Sequence, residues 1–560
     1  MRTELDANQD ATMTRLTGEG GALTLGTHAR GGVVMPMIGN APATLADYFA
    51  HYCTKHAAAT FLVSGEERLS FAQVHAAATR VAGALAARGV RKGDRVGIAM
   101  RNSPAWIALY MGTVMAGGVA CLLNGWWRTG ELAAAIGDVG CTLVFADGPR
   151  VERLRGVDVE VVAITDTLPL GDALSPLGEE SAALPALTGD DLATILFTSG
   201  STGQSKGAYS DHRGVVQGTF NFLAQALMMF GIATDAGTPP VGQPSSLLNL
   251  PLFHVTAEIA VLLQSFAMAR KLVLMPKWDA EEAMRLIAAE RITYFVGVPL
   301  MSFEMLTHPN RARYDLSSVT DFAAGGAARP EEHVRRLNEE MGGGAPLVGY
   351  GLTETNAVGT SNWRSNYLAK PGSAGRPGRP LMEIGILDDE GATLPPMQRG
   401  EIACRSVVNV LGYWNNDAAT RAAFTADGWF RTGDLGYLDE DGYLFIVDRK
   451  KDIIIRGGEN ISCQEVEAAL YEHPQVAEAA VFGLADERLG EVPAAVVRLA
   501  RPGALDEAAL TAFLREHIAA FKVPARLWFS GTALPRLGTE KIDKVAIRNE
   551  YRALAAAERA

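Results

Sequence analysis

The apolar run Leu192-Ala193-Thr194-Ile195-Leu196-Phe197 has the length and composition of a buried strand. It ends directly in Thr198-Ser199-Gly200-Ser201-Thr202-Gly203-Gln204-Ser205-Lys206-Gly207. This junction of buried strand and Gly/Ser/Thr loop limits what the chain can fold into more than any other stretch. Gly200, Gly203 and Gly207 let successive backbone N–H groups point one way, the hydroxyls of Thr198, Ser199, Ser201 and Thr202 add donors, and Lys206 adds a full positive charge. Such a loop suits an anion of the polyphosphate kind.

Three other readings compete for it. A Walker A loop has Gly before its Lys and Ser or Thr after it, whereas Ser205 and Gly207 occupy those places. Gly203-Gln204-Ser205-Lys206-Gly207 formally matches a G-x-S-x-G nucleophile elbow, which keeps a serine hydrolase with Ser205 as nucleophile among the alternatives. A ligand-free surface loop is the third, and the clustering of hydroxyls, glycines and a lysine argues against it.

At 560 residues the chain should form at least two domains. A formal charge of −12 argues against nucleic-acid binding, which draws on clustered Lys and Arg. Cys53, Cys121, Cys141, Cys404 and Cys463 are odd in number, scattered and without a C-x-x-C pair, so a reducing cytoplasm is expected rather than a disulfide framework. His51, Cys53 and His56 lack a second ligand group at matching spacing, and no metal is assigned to them. The N-terminus has no apolar signal core, and the apolar stretch from Ile259 to Met275 is broken by Gln264, Arg270 and Lys271. No membrane span is expected, which leaves peripheral membrane contact and a homodimer open.

Residues 1–40 read as a loosely ordered extension. From Ala41 helices and strands alternate, implying a parallel sheet covered on both faces. A hairpin is expected around Ser64-Gly65, a capping box at Ser70 and Gln73, and a long helix from Gly214 to Phe230. From about Pro371 short strands with Gly and Pro turns suit a small β-barrel or sandwich. The charged stretch Asp448-Arg449-Lys450-Lys451-Asp452 then precedes a segment of its own pattern, with a second capping box at Ser462 and Glu465. The expected fold class is multidomain α/β: residues 41–450 as a large domain of helix-covered, mostly parallel sheets whose part 371–450 is barrel-like, and residues 451–560 as a smaller mobile α+β domain.

Taken together, the loop, Pro251-Leu252-Phe253-His254, Gly325-Gly326-Ala327, Tyr350-Gly351-Leu352-Thr353-Glu354, Gly428-Trp429-Phe430-Arg431-Thr432-Gly433-Asp434, Asp448-Arg449-Lys450-Lys451-Asp452, Gly457-Gly458-Glu459-Asn460-Ile461 and Pro535-Arg536-Leu537-Gly538-Thr539-Glu540-Lys541 follow one another in a familiar order. The chain resembles the adenylate-forming superfamily, which includes the AMP-dependent acyl-CoA synthetases. The resemblance implies ATP, Mg²⁺ and coenzyme A as cofactors and a two-step reaction through acyl-AMP, with release of AMP and pyrophosphate. It implies that Thr198, Ser199, Gly200, Ser201, Thr202, Gly203 and Lys206 hold the β- and γ-phosphates, that Thr353 touches the α-phosphate, and that Glu354 holds Mg²⁺. It further implies an adenine slot made by Gly325, Gly326, Ala327 and Tyr350, with Gly351 among the ATP/AMP-binding residues and with Asp434 and Arg449 on the ribose. Lys541 would carry the first step, Lys451 would be the hinge for domain rotation, Gly457 and Gly458 would admit the pantetheine arm in the second step, and His254 would gate the acyl site.

Two positions depart from the family pattern: Glu540 stands before Lys541 where Gly is usual, and Ser205 where Pro is common. The acyl-pocket candidates Met228, Met229, Phe230, Val255, Val296, Val298 and Gly349 are apolar and lack an acidic partner for an amino group. They favour an apolar acid, either a medium- to long-chain fatty acid or a bulky ring-bearing acid. Alternatives are an acyl-AMP ligase that serves a carrier-protein thiol, a non-catalytic nucleotide binder suggested by Glu540, and the Ser205 hydrolase.

Overall fold

Strand Leu192–Phe197 is buried along nearly its whole length, with Val119–Leu122 parallel on one side and Gly207–Asp211 antiparallel on the other. The computed structural model describes residues 2–198, 205–327, 329–449, 452–456, 459–537 and 541–559. Ser199, Gly200, Ser201, Thr202, Gly203, Lys451, Gly457, Gly458 and Glu540 lie outside the described residues.

Two helix-covered sheets dominate the larger part of the molecule. One has seven strands, in the order Gly412–Tyr413, Gly207–Asp211, Leu192–Phe197, Val119–Leu122, Arg95–Ala99, Leu143–Asp147, Glu160–Ile164. The other has nine, from Arg376–Pro377 through Gly359–Trp363, Ala345–Gly351, Asp321–Gly325, Tyr294–Gly297, Ser245–Leu248, Lys271–Leu274 and Thr60–Ser64 to Glu67–Ser70. Both are parallel in the middle and antiparallel at an edge. Parallel neighbours need crossover helices, and those helices cover the faces. The expected hairpin Thr60–Ser64 with Glu67–Ser70 forms, and the Ser70/Gln73 capping box closes in both directions at 2.8 and 3.2 Å.

Short strands Glu383–Leu387, Gly400–Arg405, Phe430–Leu438 and Leu444–Arg449 make a four-stranded antiparallel sheet, while Gly412–Tyr413 and Arg376–Pro377 extend the two large sheets. Beyond it, Ile454–Arg456, Glu459–Ile461, Val476–Asp486, Gly490–Leu499 and Arg526–Phe529 form one sheet with separate apolar clusters on its faces. At the entry to this part the Asp448 carboxylate accepts the N–H of Cys463 at 2.5 Å, and Ser462 accepts that of Glu465 at 3.1 Å. The reciprocal half of the expected Ser462/Glu465 box is replaced: the Glu465 carboxylate takes Lys522 at 2.5 Å, an ion pair outcompeting a backbone donor.

The first forty residues differ from the sequence expectation. Glu4–Thr17 is a helix whose N-cap Thr3 and Asp6 form a capping box, and Leu25–Arg30 pairs with Val33–Ile38 as a hairpin. The helix packs on the long apolar helix His212–Asp235, where Arg15 meets Asp235 at 2.8 Å and Gln9 Nε2 lies 3.8 Å from Met229 Sδ. Gly231 makes this approach feasible, since a Cβ there would stand 2.8 Å from Thr12 Cγ2. The order is tertiary in origin: polar residues with no amphipathic repeat are held by pairing to distant partners. His212–Asp235 is also long and apolar enough to cross a membrane, but 67 % of its apolar window is buried inside the protein.

Two buried carboxyl groups near these helices sit in opposite charge states. Asp6 accepts from Thr3 N at 3.0 Å, Tyr443 Oη at 2.8 Å, Arg376 Nη1 at 3.0 Å and Asn366 Nδ2 at 3.1 Å. Burial opposes its ionisation, yet these donors and the Arg376 charge hold its pKa below the ordinary value. Glu258, in the π-helical stretch Thr256–Leu263, has one donor, Tyr110 Oη at 2.8 Å, and its Oε2 has no partner; burial pushes its pKa up to about 8.

Asp6→Ala should therefore destabilise the protein at pH 7 by about 3 kcal/mol, the scale for stranding one partner of a buried pair, read by calorimetry. The parent's advantage is present above the unfolded pKa of about 4 and should be lost as pH falls below it. Glu258 acts with the opposite sign: the folded chain holds a proton that the unfolded chain releases, so stability falls as pH rises from about 4.5 through about 8. Glu258→Gln keeps an acceptor for Tyr110 and should flatten the decline of Tm between pH 6 and 8.5; an unchanged slope would contradict the assignment.

Candidate functional site

The loop after Leu192–Phe197 is followed by a strand antiparallel to it, and its ends are tied by Thr198 N to Lys206 O at 3.0 Å and Lys206 N to Thr198 Oγ1 at 3.4 Å. Both a Walker A loop and a nucleophile elbow lead from strand into helix. Strand Gly207–Asp211 stands there instead, which removes the structural basis for Ser205 as a hydrolase nucleophile. Lys206 is half-buried, and its Nζ lies 4.8 Å from the centre of the Tyr413 ring.

Tyr413 links this lysine to Glu354. Its hydroxyl donates to Glu354 Oε1 at 2.8 Å. Glu354 lies in the short turn Thr353–Thr355, which is pinned by Val410 N donating to Glu354 O at 2.9 Å and by Asn356 Nδ2 reaching Val408 O at 2.7 Å. Burial raises the Glu354 pKa; the Tyr413 bond and the charges of Arg449 and Lys206 oppose it. Tyr413 stood outside the sequence-derived site, because nothing in Gly412-Tyr413 marks a hydroxyl that reaches another sheet.

On the opposite side, Gly325 ends its strand beside Gly349, and Gly326 and Ala327 are exposed. Tyr350 donates its hydroxyl to Asp434 Oδ2 at 2.7 Å, and Arg449 Nε lies 3.3 Å from Asp434 Oδ1. Gly351 pairs with Gly359 at the end of the same strand. Asp434 is almost fully buried and its pKa is raised, burial outweighing Arg449 and Tyr350.

Lys541, from the other end of the sequence, comes to this place. A Cβ built on Gly326, whose φ is +77°, would fall 2.5 Å from Lys541 Cε and 2.7 Å from Nζ. Glycine suits that backbone angle, and the flexible end of the lysine takes up the space that a Cβ would otherwise fill. Burial and the neighbouring Arg449 charge push the Lys541 pKa down to about 8, against the attraction of Asp434. His254 lies within the field of Lys541; burial first, and that charge second, push its pKa down to about 3, so the ring is neutral. Its Nε2 is buried without a hydrogen-bond partner.

Among the acyl-pocket candidates, Met228, Met229, Val255, Val296 and Val298 are buried in one continuous apolar core, and Phe230 and Gly349 are half-buried. Met229 is shared with the N-terminal helix through Gln9, a contact that the sequence reading of residues 1–40 did not foresee.

The described residues hold no group of three His, Cys, Asp or Glu side chains arranged for a metal. A divalent ion here would have Glu354 as its protein ligand and take its other oxygens from phosphate and water, the usual manner of Mg²⁺. A half-buried carboxylate with one side-chain hydrogen-bond donor and raised pKa fits that task, because a cation would favour its ionised form.

Comparison with known proteins follows the same geometry. Residues 49–414 match the AMP-binding enzyme family and residues 465–541 match the AMP-binding enzyme C-terminal domain. The chain is 33% identical over 514 residues to the long-chain-fatty-acid–CoA ligase of Bacillus subtilis, covering 85% of this chain and 89% of that protein. It is 33% identical over 493 residues to a feruloyl-CoA synthase of Amycolatopsis sp, covering 88% and 96%. Among solved structures, the O-succinylbenzoate coenzyme A synthetase of Bacillus subtilis in complex with ATP and magnesium ion superposes with a TM-score of 0.75 at 28% identity, covering 90% of this chain and 99% of that one. The chain thus belongs to the AMP-binding enzyme family, as an AMP-forming acid–thiol ligase.

Proposed function

We propose that this enzyme activates an apolar carboxylic acid as acyl-AMP and passes the acyl group to the thiol of coenzyme A, with the residues above in the roles that their positions suit. The reading is carried by one observation: Lys541 lies against Gly326, beside Asp434 and Arg449, with His254 within reach of its field. In the first step a carboxylate oxygen bonds to the α-phosphorus of ATP while the bond to the β-phosphate breaks and pyrophosphate leaves. Two anions must approach, and opposite unit charges 4 Å apart are worth about 4 kcal/mol at a protein surface. Lys541 supplies that charge at the reacting centre. Lys206 and the loop from Thr198 hold the β- and γ-phosphates, and Thr353 meets the α-phosphate. Asp434 accepts from the ribose hydroxyls with Arg449 beside it, and Tyr350, Gly351 and the Gly325-Gly326-Ala327 strip receive the adenine. Glu354 would hold Mg²⁺, which when bound would supply charge neutralisation on the phosphates.

In the second step the thiol sulfur bonds to the acyl carbon and AMP leaves. We assign residues up to about 450 to a large domain and the remainder to a mobile small one, rotating at Lys451 so that Lys541 withdraws and Gly457 and Gly458 admit the pantetheine arm. The separate apolar clusters on either side of that point support the division. The neutral, partnerless His254 suits a gate between acyl and thiol sites. For the acid we favour a fatty or ring-bearing monocarboxylate. The buried apolar set Met228, Val255, Val296 and Val298 supports this, as do relatives named for long-chain fatty acids and feruloyl groups. The five cysteines are buried and unbridged, which supports a reducing, cytoplasmic setting.

A pyrophosphate-release screen over fatty, aromatic and polycyclic acids, with and without coenzyme A, tests substrate and acceptor together. Release that depends on a fatty or ring-bearing acid, with coenzyme A consumed, is expected; acyl-AMP that accumulates despite coenzyme A would point to a carrier-protein thiol. Lys541→Ala should slow pyrophosphate release about a hundred-fold or more and leave thioester formation from supplied acyl-AMP largely intact, whereas equal loss of both would refute the role. Because the charged amine is the active form, kcat/KM for the first step should fall as pH rises above about 8. Lys541→Arg, which keeps its charge, should lack that alkaline limb.

A further inference from the structure

Helix Pro299–Thr307 meets the C-terminal part through Glu304, and the neighbouring Phe303 packs on His333, which that part's Tyr471 touches. The two oxygens of Glu304 are divided between the domains. Oε2 accepts from Trp278 Nε1 at 2.6 Å, within the large domain, and Oε1 faces Arg536 Nη1 at 3.6 Å. On its own side Arg536 is held by the carboxylate of Glu478, which also takes Arg498 Nε at 2.7 Å and Leu534 N at 2.8 Å. Phe303 stacks on His333 at 3.8 Å between ring centres, and the edge of Tyr471, from the C-terminal part, meets that histidine at 6.1 Å.

Arg536 stands five positions before Lys541 and is tied to it. Arg536 pairs with Ile542 as an antiparallel bridge, Leu537 N donates to Lys541 O at 2.8 Å, and Asp543 N donates to Pro535 O at 2.7 Å. A guanidinium fixed at one leg of this narrow loop therefore sets where the lysine on the other leg lies. Neither Glu304 nor Arg536 lies in the nucleotide site as described, and the ion pair between them is partly exposed, with side chains 32% and 19% accessible.

Resting on the reading that Lys541 acts in the first step, we infer that Glu304 is a positioning residue for that step: through Arg536 it holds the small domain where Lys541 crosses Gly326. The contact spans the two parts that must separate for the second step, so it favours the first half-reaction selectively. Phe303, His333 and Tyr471 add an apolar contact beside it that carries no charge.

Glu304→Gln is the direct test, because the amide oxygen still accepts from Trp278 while the charge facing Arg536 is removed. The expected result is a two- to five-fold slower first step, the range for a partly exposed ion pair. Thioester formation from supplied acyl-AMP should be as fast as in the parent, with an unchanged Tm. The parent's advantage should also shrink toward unity in about 0.5 M NaCl, where exposed charges are screened. Parallel loss in both half-reactions, no loss in either, or a gap that salt leaves untouched would overturn the assignment. Lys541→Ala measured alongside separates the two ideas. If it retains the first step, the underlying lysine reading fails; if it loses that step while Glu304→Gln does not, only the Glu304 inference fails.

Discussion

A lysine ammonium, largely withdrawn from water, rests on the backbone of a glycine more than two hundred residues away in sequence. Every other feature of the site is arranged around that contact. Lys541 keeps its charge poorly there, since burial and Arg449 both disfavour it and Asp434 only partly compensates. A phosphate or carboxylate arriving at the same place would restore what desolvation removed. In the role proposed for it, the lysine would gain most when anions meet in front of it, the condition under which a preorganised charge contributes to a transition state rather than to the resting enzyme.

The surrounding residues follow the same logic of incompletely compensated charge. Half-buried Glu354 and buried Asp434 are carboxyls with raised pKa values, each holding a tyrosine hydroxyl, from Tyr413 and Tyr350 respectively. Both lie close enough to cations to be sensitive to a further one. Asp6, by contrast, is saturated with donors and stays ionised. The difference separates a carboxylate that holds structure together from one left with capacity for a ligand. Glu258 sits four residues after the neutral His254, is buried and has a single donor, so its carboxyl is protonated at neutral pH and both groups are without charge there.

Much of this was legible before the fold. The strand Leu192–Phe197, the Ser70 cap and the long helix beginning near Gly214 follow from local chemistry: hydrophobic period and caps act over a few residues. The N-terminal helix also carried a local signal, Thr3 followed by Asp6, but its docking did not. Asp6 meets Asn366, Arg376 and Tyr443, partners hundreds of positions away that no periodicity could indicate. Tyr413 and Glu304 were missed for the same reason. Each acts through one distant contact and leaves no pattern around itself.

The sequence by itself determined the strands, caps and glycine-bearing turns, because these follow from local patterning, and the order of its motifs carries the resemblance from which the roles proposed for Glu354, Asp434 and Lys541 are taken. Only the tertiary structure decided how those groups are charged and which of them meet. Charge state depends on burial and on neighbours from other elements, as the contrast between Asp6 and Glu258 makes plain. Contact across the molecule depends on how the sheets and the C-terminal part are docked, a matter of packing over long range that one-dimensional spacing does not encode.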